Sequence, residues 1–163
     1  SWISGQKKYT FLAIKAILSW KSQMAWIKVD DQPGKKVDLT GLFAMMQAET
    51  FGGGYRVAPG MQPFGDGASI VLGFGLSKLQ MLRVMGPLEK GRHVGKWGKV
   101  SMEPCRRFEI KALDSEGEPT DERGHEPPLF ISLDGEISMT TPVSFEFHEG
   151  QLNVRGGESP PNV

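Results

Sequence analysis

Apolar residues near the start of the chain recur at helical spacing. Tyr9, Leu12, Ala13, Ala16, Ile17 and Trp20 fall on one side of a helical wheel, Lys7, Lys8 and Lys15 lie elsewhere on it, and Ser4 is a fair N-cap. The pattern predicts an opening amphipathic helix. From Gln23 to Asp30 the period drops to two, "DDQPG" supplies a reversal, and residues 36–49 form a Met-rich apolar run, so a hairpin buried on both faces is expected. Residues 68–74 predict a further strand. Ser77 then opens a short helix through Leu79, Leu82, Val84 and Met85, which Gly86 and Pro87 should stop. Beyond it the pattern is all β. Residues 99–103, 106–113, 129–133, 143–148 and 151–155 predict five strands at the spacing of a sandwich or barrel, with helices as accessories.

Two stretches break the pattern. "DSEGEPTDERGHEPP" (114–128) is acidic, rich in Gly and Pro and too polar to pack, which predicts a long exposed hairpin loop. "GGESPPNV" closes the sequence, and residues 157–163 are expected to fray from a single domain over 1–156. A chain of 163 residues, 39% hydrophobic, can bury one core without disulfides. Its formal net charge of zero gives no global field to gather nucleic acid, so no nucleic-acid partner is expected. Cys105 is the single cysteine and fits a buried inert thiol in a reducing compartment. No apolar run approaches a membrane span and no leader precedes the first helix, so a cytoplasmic protein is expected.

Charge is nonetheless uneven. Between Lys90 and Lys111 seven basic residues face only Glu103 and Glu109, whereas the loop that follows is acidic apart from Arg123. Two readings are open: solvated strand faces beside a loop, or a basic surface for an anionic ligand or lipid headgroup.

Three glycine clusters are the candidates for chemistry. "FGGGYRVAP" (51–59) places Gly52, Gly53 and Gly54 in succession, where the backbone can bend freely and another chain or ligand can approach closely. "FGDGAS" (64–69) superficially suggests a phosphate loop, but it leads into a strand and not a helix, so no helix N-terminus stands behind it. What remains is one carboxylate, Asp66, amid backbone carbonyls, a set suited to a hard cation such as Mg2+. "LFISLDGE" (129–136) joins an apolar strand to a tight Asp-Gly turn, leaving Glu136 either as the polar start of a returning strand or as a proton acceptor. His93, His125 and His148 lack zinc spacing, and His93 reads as a surface residue. There is no G-x-S-x-G elbow, Walker loop or dinucleotide fingerprint.

Taken in order, these segments resemble the carboxy-terminal half of the diacylglycerol kinase catalytic family, which includes bacterial lipid kinases, sphingosine kinases and ceramide kinases. The helix "GQKKYTFLAIKAILSW", the run "FGGGYRVAP", then "GDG", "GRHVG" (91–95) and "LDGE" carry the likeness, from about Gly5 to Val154. The resemblance implies a mainly β, two-layer β-sandwich with one or two accessory helices. It further implies a missing N-terminal α/β domain that binds most of the ATP and meets the opening helix and glycine loops, leaving this portion inactive alone. Glu136 matches the family's proposed general base, with Asp134 and Gly135 fixing its turn. Asp66, with the carbonyls of Pro63 and Ala68, matches its Mg2+ site, although Gly65 and "ASIV" replace the acids often found nearby. The implied partners are a lipid substrate and a peripheral membrane surface, and a homodimer stays open. Two other readings compete: a stand-alone β-sandwich binding or regulatory module, and an inactive kinase relative. "GLFAMMQ" (41–47) reads either as acyl-chain lining or as plain core.

Overall fold

The computed structural model describes residues 6–39, 43–51, 54–62, 67–122, 129–134 and 136–149. Helix α1 (Gln6–Ser19) opens the chain, followed by β1 (Met24–Val29), β2 (Lys35–Asp38), β3 (Phe43–Met46), β4 (Ser69–Gly73) and helix α2 (Lys78–Glu89). A short 3-10 turn (Lys96–Gly98) leads to β5 (Val100–Pro104), β6 (Arg107–Lys111), β7 (Phe130–Leu133), β8 (Glu136–Thr140) and β9 (Val143–Glu146). One antiparallel sheet has the order β2-β1-β6-β9, a second β3-β4-β5, and β7-β8 forms a separate ribbon. The principal core lies between the two larger sheets: Ala25, Ile27 and Val29 of β1 and Phe108 and Ile110 of β6 meet Ile70 and Leu72 of β4. This is the expected two-layer sandwich with accessory helices.

All five residues of β4 are buried, because both faces of its sheet are covered. Ile70 and Leu72 point into the sandwich, while Val71 points the other way, against Tyr55, Val57 and Ala58 and the α2 side chains Met85 and Leu88. Parity of the strand assigns alternate residues to the two layers.

Several expectations need correction. Residues 36–49 are not one strand: β2 pairs with β1 in the first sheet and β3 with β4 in the second, so the chain changes layers between them. The β1–β2 hairpin has one core face, its burial alternating along β1. In β3, Met45 packs into the sandwich and Met46 into the outer cluster, so these methionines are core. Helix α2 runs through Pro87: the proline forfeits the N–H bond that would reach the Arg83 carbonyl, and the docking of Met85 and Leu88 on the sheet offsets that loss. Its start is as expected, with Ser77 and Gln80 forming a reciprocal capping box. Residues 114–121 of the acidic loop are tied down by specific contacts. Asp114 accepts the N–H groups of Glu116 and Glu118 at 2.9 and 2.8 Å, and Lys36–Glu118 and Lys111–Asp121 ion pairs at 2.7 Å tie it back to the first sheet. The strand expected over 151–155 lies outside the described residues.

Turn chemistry fixes how the layers meet. Asp30 adopts a left-handed backbone (φ 46°) in the β1–β2 turn, and its carboxylate accepts the N–H groups of Arg106 and Arg107 at 2.8 and 2.7 Å. That one side chain joins two reversals that are remote in sequence. Cys105, between β5 and β6, is buried as expected, and burial, reinforced by the Asp30 and Glu103 carboxylates, pushes its thiol up to about 11.

Candidate functional site

The β7–β8 ribbon presents the expected reversal. Leu133 pairs with Glu136 across a two-residue loop, and Asp134 takes a left-handed backbone (φ 49°), as a primed hairpin turn demands at its first central position. The base of the ribbon is held by the core: Leu129 is buried in the sandwich, Ile131 packs against it, and the Thr141 N–H donates to the Leu129 carbonyl at 3.2 Å. Toward the tip Leu133, Asp134 and Glu136 are exposed, and among the described residues no hydrogen bond or ion pair engages the Glu136 carboxylate. Gly135, the other residue of the loop, lies outside the described residues. An exposed carboxylate at the end of a tight reversal, open to an incoming group, suits an acceptor of protons from a bound alcohol.

The second group of candidates lies on the outer layer. Gly54 has φ +100°, a conformation L side chains rarely adopt, and lies between Phe51 and Tyr55, whose backbones bond reciprocally at 3.0 and 3.1 Å. Glu49 staples the segment: it accepts from Arg56 Nη2 at 2.7 Å and from the Gly60 N–H at 3.0 Å, contacts that hold its carboxyl below the usual range. Tyr55, Val57 and Ala58 are buried beneath, and the Tyr55 hydroxyl is bonded to Thr10 Oγ1 of α1 at 2.7 Å. Gly54 thus stands beside a packed base tied to the opening helix. Gly52 and Gly53 lie outside the described residues.

For the cation set, Pro63 and Asp66 also lie outside the described residues. Ala68 is buried at the head of β4, and its carbonyl already accepts the Cys105 N–H at 3.0 Å, leaving its second lone pair for a cation. No cluster of three or more metal-ligating side chains occurs among the described residues. The candidates therefore stand on three parts of the fold: Gly54 on the outer segment, Ala68 at the edge of β4, and Glu136 on the ribbon.

His93 departs from the expected surface position. It is 1% exposed, not a surface residue. The segment that carries it folds against the glycine-rich one so closely that a Cβ on Gly91 (φ +66°) would lie 3.1 Å from the Pro59 side chain. Neither ring nitrogen makes a hydrogen bond of good geometry, although the Val57 backbone is near enough to favour the charged ring slightly; burial wins and holds the imidazole below the usual histidine range. A depressed value means the unfolded chain takes up the proton first. The stability contributed by a neutral His93 is therefore complete above about pH 6.5 and falls as pH drops below that value. Urea unfolding of wild type and His93→Leu at neutral and mildly acid pH checks this. The variant should match wild type within about 1.5 kcal/mol at neutrality and lose less on acidification.

Comparison with known proteins decides the family. Residues 1–156 match the YegS C-terminal NAD kinase beta sandwich-like domain. The chain belongs to this family. Two solved structures of a candidate diacylglycerol kinase from Bacillus anthracis str. Sterne resemble this YegS-type domain, with TM-scores of 0.62 and 0.53. Each is 16% identical over 88% of the chain, a likeness of fold. The chain spans less than half of those proteins, 45% and 43% of their lengths. No curated protein matches it.

Proposed function

We propose that this YegS-type domain is the substrate side of an ATP-dependent lipid kinase that phosphorylates the primary hydroxyl of a diacylglycerol- or sphingosine-like lipid. The observation that carries this reading is Glu136: an exposed carboxylate at the end of a tight turn, on a ribbon anchored in the sandwich of a family member. A lipid hydroxyl is a poor nucleophile near neutrality, and phosphoryl transfer is mainly positioning and charge neutralisation. Glu136 takes the proton as the hydroxyl oxygen bonds to the γ-phosphorus, the bond from that phosphorus to the bridging oxygen breaks, and ADP departs with the electron pair. Asp134, with its left-handed backbone, sets the direction of the carboxylate by setting the turn.

The ATP is bound mainly by a separate α/β domain, which the glycine segment at Gly54 and the Thr10 end of helix α1, tied to it through Tyr55, face. Asp66 with the Pro63 and Ala68 carbonyls would hold Mg2+, which supplies positive charge beside the glycine-rich segments. The lipid substrate places the protein at a cytoplasmic membrane surface as a peripheral protein; no helix among the described residues is long and apolar enough to cross a bilayer.

The test is the full-length protein with γ-labelled ATP and Mg2+ against diacylglycerol, sphingosine, ceramide and phosphatidylglycerol in mixed micelles. Label entering one of these lipids is the expected result. Transfer to none of them would replace this reading with a binding module.

A further inference from the structure

With a formal net charge of zero, the charges of this chain are segregated. Residues 15–21, 75–83 and 90–99 carry eight Lys or Arg and no Asp or Glu. The fold brings these three segments together. Lys78 Nζ, at the start of α2, donates to the Leu18 carbonyl at the end of α1 at 2.6 Å. Lys99 Nζ, after the 3-10 turn, donates to the Gly75 carbonyl at 2.6 Å and to Gln80 Oε1 at 3.2 Å. Three large apolar side chains at or within two residues of these contacts in sequence stay in water: Leu18 at 56% exposure, Leu79 at 55% and Trp97 at 45%.

The backbone holds Trp97 there. Its φ of 53° and ψ of 17° are left-handed, a conformation an aromatic residue adopts only at a cost. The flanking turn is closed by the Gly95 N–H to Val100 carbonyl bond at 2.8 Å and by Lys96 N–H to His93 carbonyl at 3.1 Å. His93 and Val100 are both buried, so the loop is anchored at its two ends while the indole between them faces outward.

From this juxtaposition we propose that the turn carrying Trp97, with Leu18, Leu79 and the lysines around them, is the surface that docks on an anionic lipid bilayer. The inference deepens the lipid-kinase reading and takes its biological sense from it. Indole and leucine side chains suit the boundary between headgroups and acyl chains, and lysines suit anionic headgroups. A second copy of the chain fits poorly, since like faces would set lysine against lysine with no acid in these segments to compensate.

Sedimentation of the full-length protein with vesicles of phosphatidylcholine, with and without a minority of phosphatidylglycerol, tests the proposal and needs no ATP. Binding should require phosphatidylglycerol and weaken as salt is raised. Lys96→Gln should lower the partition coefficient roughly fivefold. Trp97→Ala should lower it roughly tenfold, with Trp97→Tyr retaining most of the binding. Sedimentation indifferent to phosphatidylglycerol, or equal for wild type and Trp97→Ala, would overturn it. Turnover of a water-soluble short-chain diacylglycerol separates the two readings. If Trp97→Ala retains that turnover but binds vesicles weakly, docking stands. If it loses both in equal measure, the residue belongs to the reaction site and the docking role fails. Vesicle binding with the expected variant effects, but no lipid phosphorylated by wild type, keeps this surface and discards the kinase.

Discussion

Glu136→Gln in the full-length protein is expected to lower kcat for lipid phosphorylation about 100- to 10,000-fold, the usual span for removing a positioned general base, with KM for ATP and lipid little changed. The amide keeps the size and the turn but cannot accept the proton. A fall confined to kcat identifies an interaction made in the transition state, whereas a rise in KM alone would assign Glu136 to binding. Because the side chain is exposed at the tip of a ribbon whose anchor is Leu129 and Ile131, the substitution should leave thermal unfolding unchanged. Turnover equal to wild type would return Glu136 to the role of a turn residue.

Leu72→Ala should carry the largest stability cost, about 2–5 kcal/mol, read as a lower urea midpoint at unchanged slope. Leu72 is wholly buried on the central strand of the second sheet and fills the space facing β1 and β6, where strands cannot collapse onto a cavity without breaking their ladders. Its neighbour Val71 provides the contrast. Val71→Ala removes less volume and does so from the outer layer, beneath Tyr55, Val57 and Ala58. The glycine-rich segment should loosen first in that variant, with protease cutting near Gly54 before global unfolding. A cost below about 1 kcal/mol for Leu72→Ala would mean that the two sheets do not share one close-packed core.

Much of the local structure was legible because it is determined by neighbours in sequence. Period-two alternation gives β1, Ser77 as a cap gives the start of α2, and an Asp-Gly pair between strand residues gives the β7–β8 reversal with Glu136 behind it. The glycine run and the turn at Glu136 could be singled out for the same reason.

Other features follow from contacts the chain makes across long distances. An unbroken apolar run says that residues are buried, not in which sheet, so the division between β2 and β3 was invisible. Pro87 stops an isolated helix, but Met85 and Leu88 packing on the second sheet carries α2 past it. His93 sits in a basic, glycine-rich stretch with every mark of an exposed loop, yet in the fold it is buried, with the Val57 backbone beside its ring and Pro59 against Gly91. The meeting of the basic segments is of the same kind, since they touch only when Lys78 reaches α1 and Lys99 reaches the start of α2. Elements and turns follow from the order of residues, because their energies depend on neighbours a few positions apart. The layers, the burial of His93 and the contacts between the basic segments arise only on folding, because burial and electrostatic proximity depend on which surfaces meet when the sheets close.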